Sequence, residues 1–131
     1  MILQILIGVV CAAICILLVQ KIYPNQTVAV WRNALVLAAV IYVGFALFTK
    51  NWEWLPIEIG GVAIYGTLAF LSKKYSHYFL AIGWAAHVLW DVLLHSNGDP
   101  DFVPSWYPGA CIGFDLVIAG YLVWYFLRKK A

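Results

Sequence analysis

The chain has 131 residues, of which 65% are hydrophobic and only 11% charged, with a mean hydropathy of +0.89. A soluble domain is about half apolar and about a quarter charged, and a globule of this length has too little interior to hide so much apolar surface, so the chain reads as an integral membrane protein. Its formal net charge of +2 comes from scattered basic residues that form no patch, which excludes a nucleic-acid partner.

A helix that crosses a bilayer needs about 20 mainly apolar residues. The first such run, about 2–19, holds Cys11 and Cys15 and is followed by Lys21, with no basic stretch ahead of its apolar core. It reads as a retained helix and not as a cleaved signal peptide. Pro24 and Asn25 break the chain, and a second run, about 28–48, reads as uniformly apolar from Ala34 to Phe48. The third, about 56–72, opens on Pro56, which suits a first helical turn because its missing N–H is not needed there.

The fourth run, about 77–95, ends in "HVLWDVLLH", and "SNGDP" then stops the helix. The outer loop that follows carries Asp99 and Asp101, which read as solvated acids. The fifth run, about 108–127, opens on Pro108. Run length and the lack of two-residue alternation favour helices over strands. No repeat or linker divides the chain. The expected fold is all-α: one polytopic bundle of five transmembrane helices over residues 1–131.

The three cysteines are odd in number and offer no paired loop framework, so they read as small buried apolar residues. Lys21, Arg32, Lys73, Lys74, Arg128, Lys129 and Lys130 fall on one side of the bundle and Lys50 alone on the other. The positive-inside bias then sets the N-terminus out and the C-terminus in, within the cell membrane. Trp52, Trp54 and Trp106 are expected in an outer aromatic belt, with Trp31 and Trp124 toward an inner one.

On this topology three helices bring ionisable groups to the same half of the bilayer. At about 1.5 Å per residue, Glu58 lies about 3 Å below the start of the third helix, and Asp91 and His87 about 6 and 12 Å below the end of the fourth. Asp115 lies about 10 Å down the fifth. Two tiers follow: Glu58, Asp91 and His95 above, His87 and Asp115 below. Helix-dipole effects of about 0.3–1 kcal/mol suffice for Glu58 and His95 at helix ends. They do not suffice for Asp91 and Asp115, since an acid at the centre of a spanning helix costs about 2.5–3.5 kcal/mol.

The spacing of His87, Asp91 and His95, four residues apart, lets all three face one site. Three readings stay open. The groups could hold a divalent metal such as zinc, with His87, Asp91, His95 and Asp115 as ligands. In an enzymatic version, Glu58, Asp91 and Asp115 supply the catalytic carboxylates for hydrolysis of a lipid-like substrate. They could instead relay protons or ions in transport, or join helices as interhelical glue in a structural membrane subunit. Whether the protein is an enzyme stays open at this point. Tyr65, on the face of Glu58, is a donor toward the site. The pairs Gly109/Gly113 and Gly60/Gly61 permit the close approach that would bring helices three and five onto helix four. The lipid bilayer is the expected partner, with a lipid-like ligand and a homo-oligomer both compatible.

The segments "RNALVLAAVIY", "LPIEIGG", "AIGWAAHVLWDVLLH" and "FVPSWYPGACIGFDLVIAGY" together resemble a family of small bacterial integral-membrane proteins, the domain of unknown function 6010. The resemblance covers about residues 32–122. It implies that the recurring polar positions are Asn33, Glu58, His87, Asp91, His95 and Asp115; Asn33 is then expected to support the site beside Tyr65, which its place on the Glu58 face suggests. It supplies no activity.

Overall fold

The computed structural model describes residues 2–95, 104 and 106–130. Its elements are α1 (Ile2–Ile22), α2 (Thr27–Phe48), α3 (Leu55–Lys74), α4 (Tyr78–Trp90) with a π-helical continuation (Asp91–His95), and α5 (Tyr107–Lys130). No strand occurs among the described residues. In hydrocarbon every backbone N–H and C=O must be satisfied within the chain, which long apolar helices do by themselves. α1, α2, α3 and α5 are long and apolar enough to cross a membrane; the apolar helix Tyr78–Leu93 is shorter.

The expected helices are all present, with ends shifted by up to three residues. Pro56 and Pro108 each occupy the second position of their helix. The chief difference is at Asp91, where the α-helix expected to reach His95 widens into a π turn. α2 stops because Lys50 adopts a left-handed conformation at φ 56°. The N–H groups of Lys50 and Asn51 then close back on the carbonyls of Leu47 and Ala46, a C-terminal motif that satisfies the last turn. The outer loop residues Asp99 and Asp101 lie outside the described residues.

The bundle is apolar outside and polar within. Leu17, Phe48 and Phe70 are exposed, whereas Glu58, Ser72, His87, Asp91 and Asp115 are buried. Such a surface would not be stable against water and suits a hydrocarbon solvent. Contacts fix the helix directions. Gln20 with Tyr121 and Gly8 with Ala110 make α1 parallel to α5. Trp31 with Trp84 and Tyr42 with Asp91 make α2 parallel to α4. His87 with Asp115 and Tyr78 with Phe126 make α4 antiparallel to α5. Lys21, Arg32, Lys73, Lys74 and Arg128 therefore gather at one end, the basic end, and the polar cluster lies nearer the other.

α1 packs on α5 and scarcely touches α2. Its seat is backbone against backbone: a Cβ on Gly8 would stand 1.9 Å from the Ala110 carbonyl oxygen, and one on Gly113 2.1 Å from that of Ile5. Gly113 thus admits α1, where the sequence suggested that it draws α5 onto α4. Gly61 does bring α3 onto α4, with a Cβ there meeting the Trp90 ring at 2.7 Å, while Gly60 faces open space. Trp31 also departs from expectation. It is buried and packs edge-on against Trp84 at 6.1 Å between ring centres, so it belongs to the core and not to a belt. The cysteines are free as expected, yet Cys11 is exposed and Cys15 and Cys111 are half-buried.

Gly8→Val and Gly113→Val should each unseat α1, because a backbone carbonyl cannot move aside as a side chain can; overpacking costs about 1–3 kcal/mol. Gly60→Ala should leave stability unchanged or raise it. Unfolding of the purified variants in denaturing detergent, followed by tryptophan fluorescence, tests the contrast, and equal losses at all three positions would contradict this packing.

Candidate functional site

His87 is the hub. It projects from the last turns of α4 and is 1% exposed. Its Nδ1 lies 2.9 Å from Asp115 Oδ2 on α5 and 3.6 Å from Asp91 Oδ2 one turn further along its own helix. Asp91 and Asp115 are 0% and 2% exposed. The Tyr42 hydroxyl, from α2, donates to Asp91 Oδ1. The Tyr42 ring stacks on the imidazole at 6.0 Å, and the Tyr65 ring meets it edge-on at 4.8 Å. Three helices thus supply hydrogen-bonding groups, and α3 adds an aromatic wall.

Side-chain direction explains why Asp91 joins His87 and Asp115 and not the upper tier. Helical side chains lean toward their own N-terminus. On α4 that direction points from Asp91 toward the basic end, down to His87. On antiparallel α5 it points the opposite way, lifting the Asp115 carboxylate to the same level. On α3, parallel to α5, it tips Glu58 away from the cluster. The two tiers expected from axial depth are therefore regrouped by side-chain geometry.

One donor atom from each of His87, Asp91 and Asp115 can be chosen so that all lie within 4.8 Å of one another. Two ligands about 2.0–2.1 Å from a tetrahedral zinc stand roughly 3.3 Å apart. The 2.9 and 3.6 Å separations bracket that value. Two polar atoms of the cluster are buried with no hydrogen-bond partner among the described residues: His87 Nε2 and Asp91 Oδ2. Each such atom costs about 1–3 kcal/mol, more for a charged group.

The other candidates are placed differently. Glu58 is buried and accepts a 3.4 Å hydrogen bond from Trp90 Nε1, outside the three-residue group. Tyr65 contacts His87 through its ring, while its hydroxyl donates to the Ala86 carbonyl at 3.1 Å. Asn33 is exposed on α2, nine residues before Tyr42 and so roughly 13 Å along the axis. The π turn places the His95 backbone one turn past Asp91; its side chain lies outside the described residues. Tyr42 was not legible in the sequence. It sits in a run that reads as uniformly apolar, and its seven-residue spacing from Leu35, both buried on one face, is the only trace.

Toward the basic end the cluster is closed by buried Trp31, Leu35, Leu80, Trp84 and Ile118. The Trp84 Nε1 donates to the Trp31 carbonyl at 3.3 Å, which ties α4 to α2 directly beneath the site.

The chain matches the model of a family of unknown function, DUF6010, over residues 3–130, and belongs to that family. No curated protein and no solved structure matches it.

Removing the Tyr42 hydroxyl orphans a buried carboxylate oxygen, whereas removing that of Tyr65 frees only a helical carbonyl. Tyr42→Phe should therefore cost about 1–3 kcal/mol and Tyr65→Phe about 0.5–1.5 kcal/mol. Parallel detergent-unfolding curves test the order; the reverse order would mean that the Asp91 contact is not made.

Proposed function

We propose that this DUF6010 member is a multi-pass membrane protein whose His87–Asp91–Asp115 centre binds a divalent metal, with zinc the best fit, for hydrolysis of an ester- or amide-linked lipid. The observation that carries the reading is the convergence of three buried ligand groups, with one donor atom from each of His87, Asp91 and Asp115 within 4.8 Å of one another and Asp91 Oδ2 lacking a hydrogen-bond partner among the described residues. Charge supports it as well. Two carboxylates and a divalent cation sum to zero, the cheapest state in hydrocarbon, whereas two carboxylates around one imidazolium leave a net negative charge.

In this reading the ligands are His87 Nδ1, Asp91 and Asp115, with His95 the proposed fourth. Tyr42 fixes the Asp91 carboxylate through its other oxygen, as outer partners of metal ligands do. The Tyr42 and Tyr65 rings hold the imidazole plane. A metal there would supply Lewis acidity and would lower the pKa of a coordinated water to about 7. Glu58, the carboxylate outside the ligand set, is the proposed proton acceptor. Water adds to the carbonyl, and the alcohol or amine leaves with the proton.

We place the basic end in the cytoplasm and the site in the outer leaflet of a bacterial inner membrane. α4 counts as a fifth span. Its 13 residues and the five of the π turn reach roughly 27 Å at about 1.5 Å per residue, close to the hydrocarbon thickness of about 30 Å. Transport is the weaker reading. A relay needs a wet path, and the layer of Trp31, Leu35, Leu80, Trp84 and Ile118 beneath the cluster is buried and supplies no titratable group. A glue role is compatible with the metal reading, because the same ligands tie α4 to α5.

Detergent-purified protein should carry about one zinc per chain, or take it up from micromolar zinc after chelation. His87→Ala and Asp115→Asn should each lose it, the second while still eluting as folded protein; Asn33→Ala should keep it. Because the ligands must be deprotonated, affinity should fall as the buffer is acidified. A folded wild-type protein that takes up no metal by elemental analysis would overturn the proposal.

A further inference from the structure

The bundle leaves a cleft where its first two helices part. α1 and α2 are joined by a short turn at the basic end, yet toward the other end α1 leans on α5 alone. A cavity of about 330 Å³ lies between them, backed by α5. Its rim residues Ile7, Cys11 and Leu37 are exposed, and its floor residues Trp84 and Asp115 are buried. Asp115 is the one carboxylate among the lining residues, and its Oδ2 is the atom 2.9 Å from His87 Nδ1. A second groove of about 430 Å³, along Ile82 and Leu116, carries no acid.

We infer that the α1–α2 cleft is a side portal holding one acyl chain of a bilayer lipid, with the chain's polar linkage presented to the Asp115 end of the centre. This inference names the substrate's route and rests on the reading of that centre given above. Three points favour a lipid chain. The cleft lies between apolar helices, at a level where the surrounding medium is hydrocarbon. Its walls are largely apolar and its lining includes one buried carboxylate that belongs to a polar centre, which is the pattern an amphiphile completes: chain in the cleft, linkage at the acid. Its volume is near the lower limit of about 300–1,000 Å³ for small-molecule sites. A helix of a second copy or of a partner protein, about 10–12 Å across, does not fit; a single chain does. The close seat of α1 on α5 through Gly8 and Gly113 holds the outer wall in place.

The full-length protein in phosphatidylethanolamine/phosphatidylglycerol vesicles, doped with a phosphatidylglycerol bearing a mid-chain diazirine, tests this. After illumination, peptide mass spectrometry should find adducts at Ile7–Cys11 and Cys111 at least threefold above those at Ile64 and Phe70, which are exposed on α3 away from the cleft. Ala38→Trp fills the cleft and should lower the first set at least threefold while leaving the Phe70 adduct and bound zinc unchanged; Ala38→Leu, which fills less of it and strains the fold less, should lower the first set to a smaller degree. Even labelling of all positions, or cleft labelling indifferent to both substitutions, overturns the inference. The metal reading fails separately: cleft labelling in a protein that binds no zinc keeps the portal and removes the centre's assigned role, whereas zinc binding with even labelling removes the portal alone.

Discussion

The contact on which this structure turns is one imidazole nitrogen set between two buried carboxylates. His87 Nδ1 faces Asp115 across the α4–α5 interface and Asp91 along its own helix. In water such a cluster would be ordinary. Inside a bundle with an apolar exterior no solvent can satisfy its remaining atoms, so each polar atom must find a partner within the protein or in something bound to it. Tyr42 meets one of these demands. His87 Nε2 and Asp91 Oδ2 have no hydrogen-bond partner among the described residues.

The surrounding architecture serves that contact. Antiparallel packing of α4 and α5 aims their acids at one level. Gly61 lets the Trp90 ring lie against α3, which brings Tyr65 to the edge of the imidazole. The π turn at Asp91–His95 falls at the acid itself, and such insertions are frequent at functional sites. Beneath, the Trp31–Trp84 pair and its aliphatic neighbours close the bundle toward the basic end.

Much of this was legible in the sequence because hydrocarbon imposes simple rules. Five apolar runs gave five helices within a few residues, and prolines marked two of their first turns. The cost of an acid inside a span singled out Asp91 and Asp115, which the structure does bring together with His87. Other features depend on quantities that a linear reading does not hold. Asp91 was assigned to an upper tier by axial depth, but its side chain leans back toward the N-terminus of its helix and meets His87. Tyr42 was hidden because a tyrosine in an apolar run is indistinguishable from packing until its hydroxyl has a partner. Asn33 shares a helix with Tyr42 but is exposed. Gly113 was read correctly as a close-approach residue and assigned to the wrong neighbour, since small-residue spacing names a surface and not the helix that meets it.

X-ray absorption of the zinc-loaded protein tests the central claim most directly, because it reads the ligand atoms themselves. The account predicts a first shell of nitrogen and oxygen only, at about 2.0–2.1 Å, with the outer scattering of a single imidazole, or of two if His95 completes the set. A sulfur contribution near 2.3 Å would place the metal on the cysteines, and the His87–Asp91–Asp115 centre would then be a clasp and nothing more.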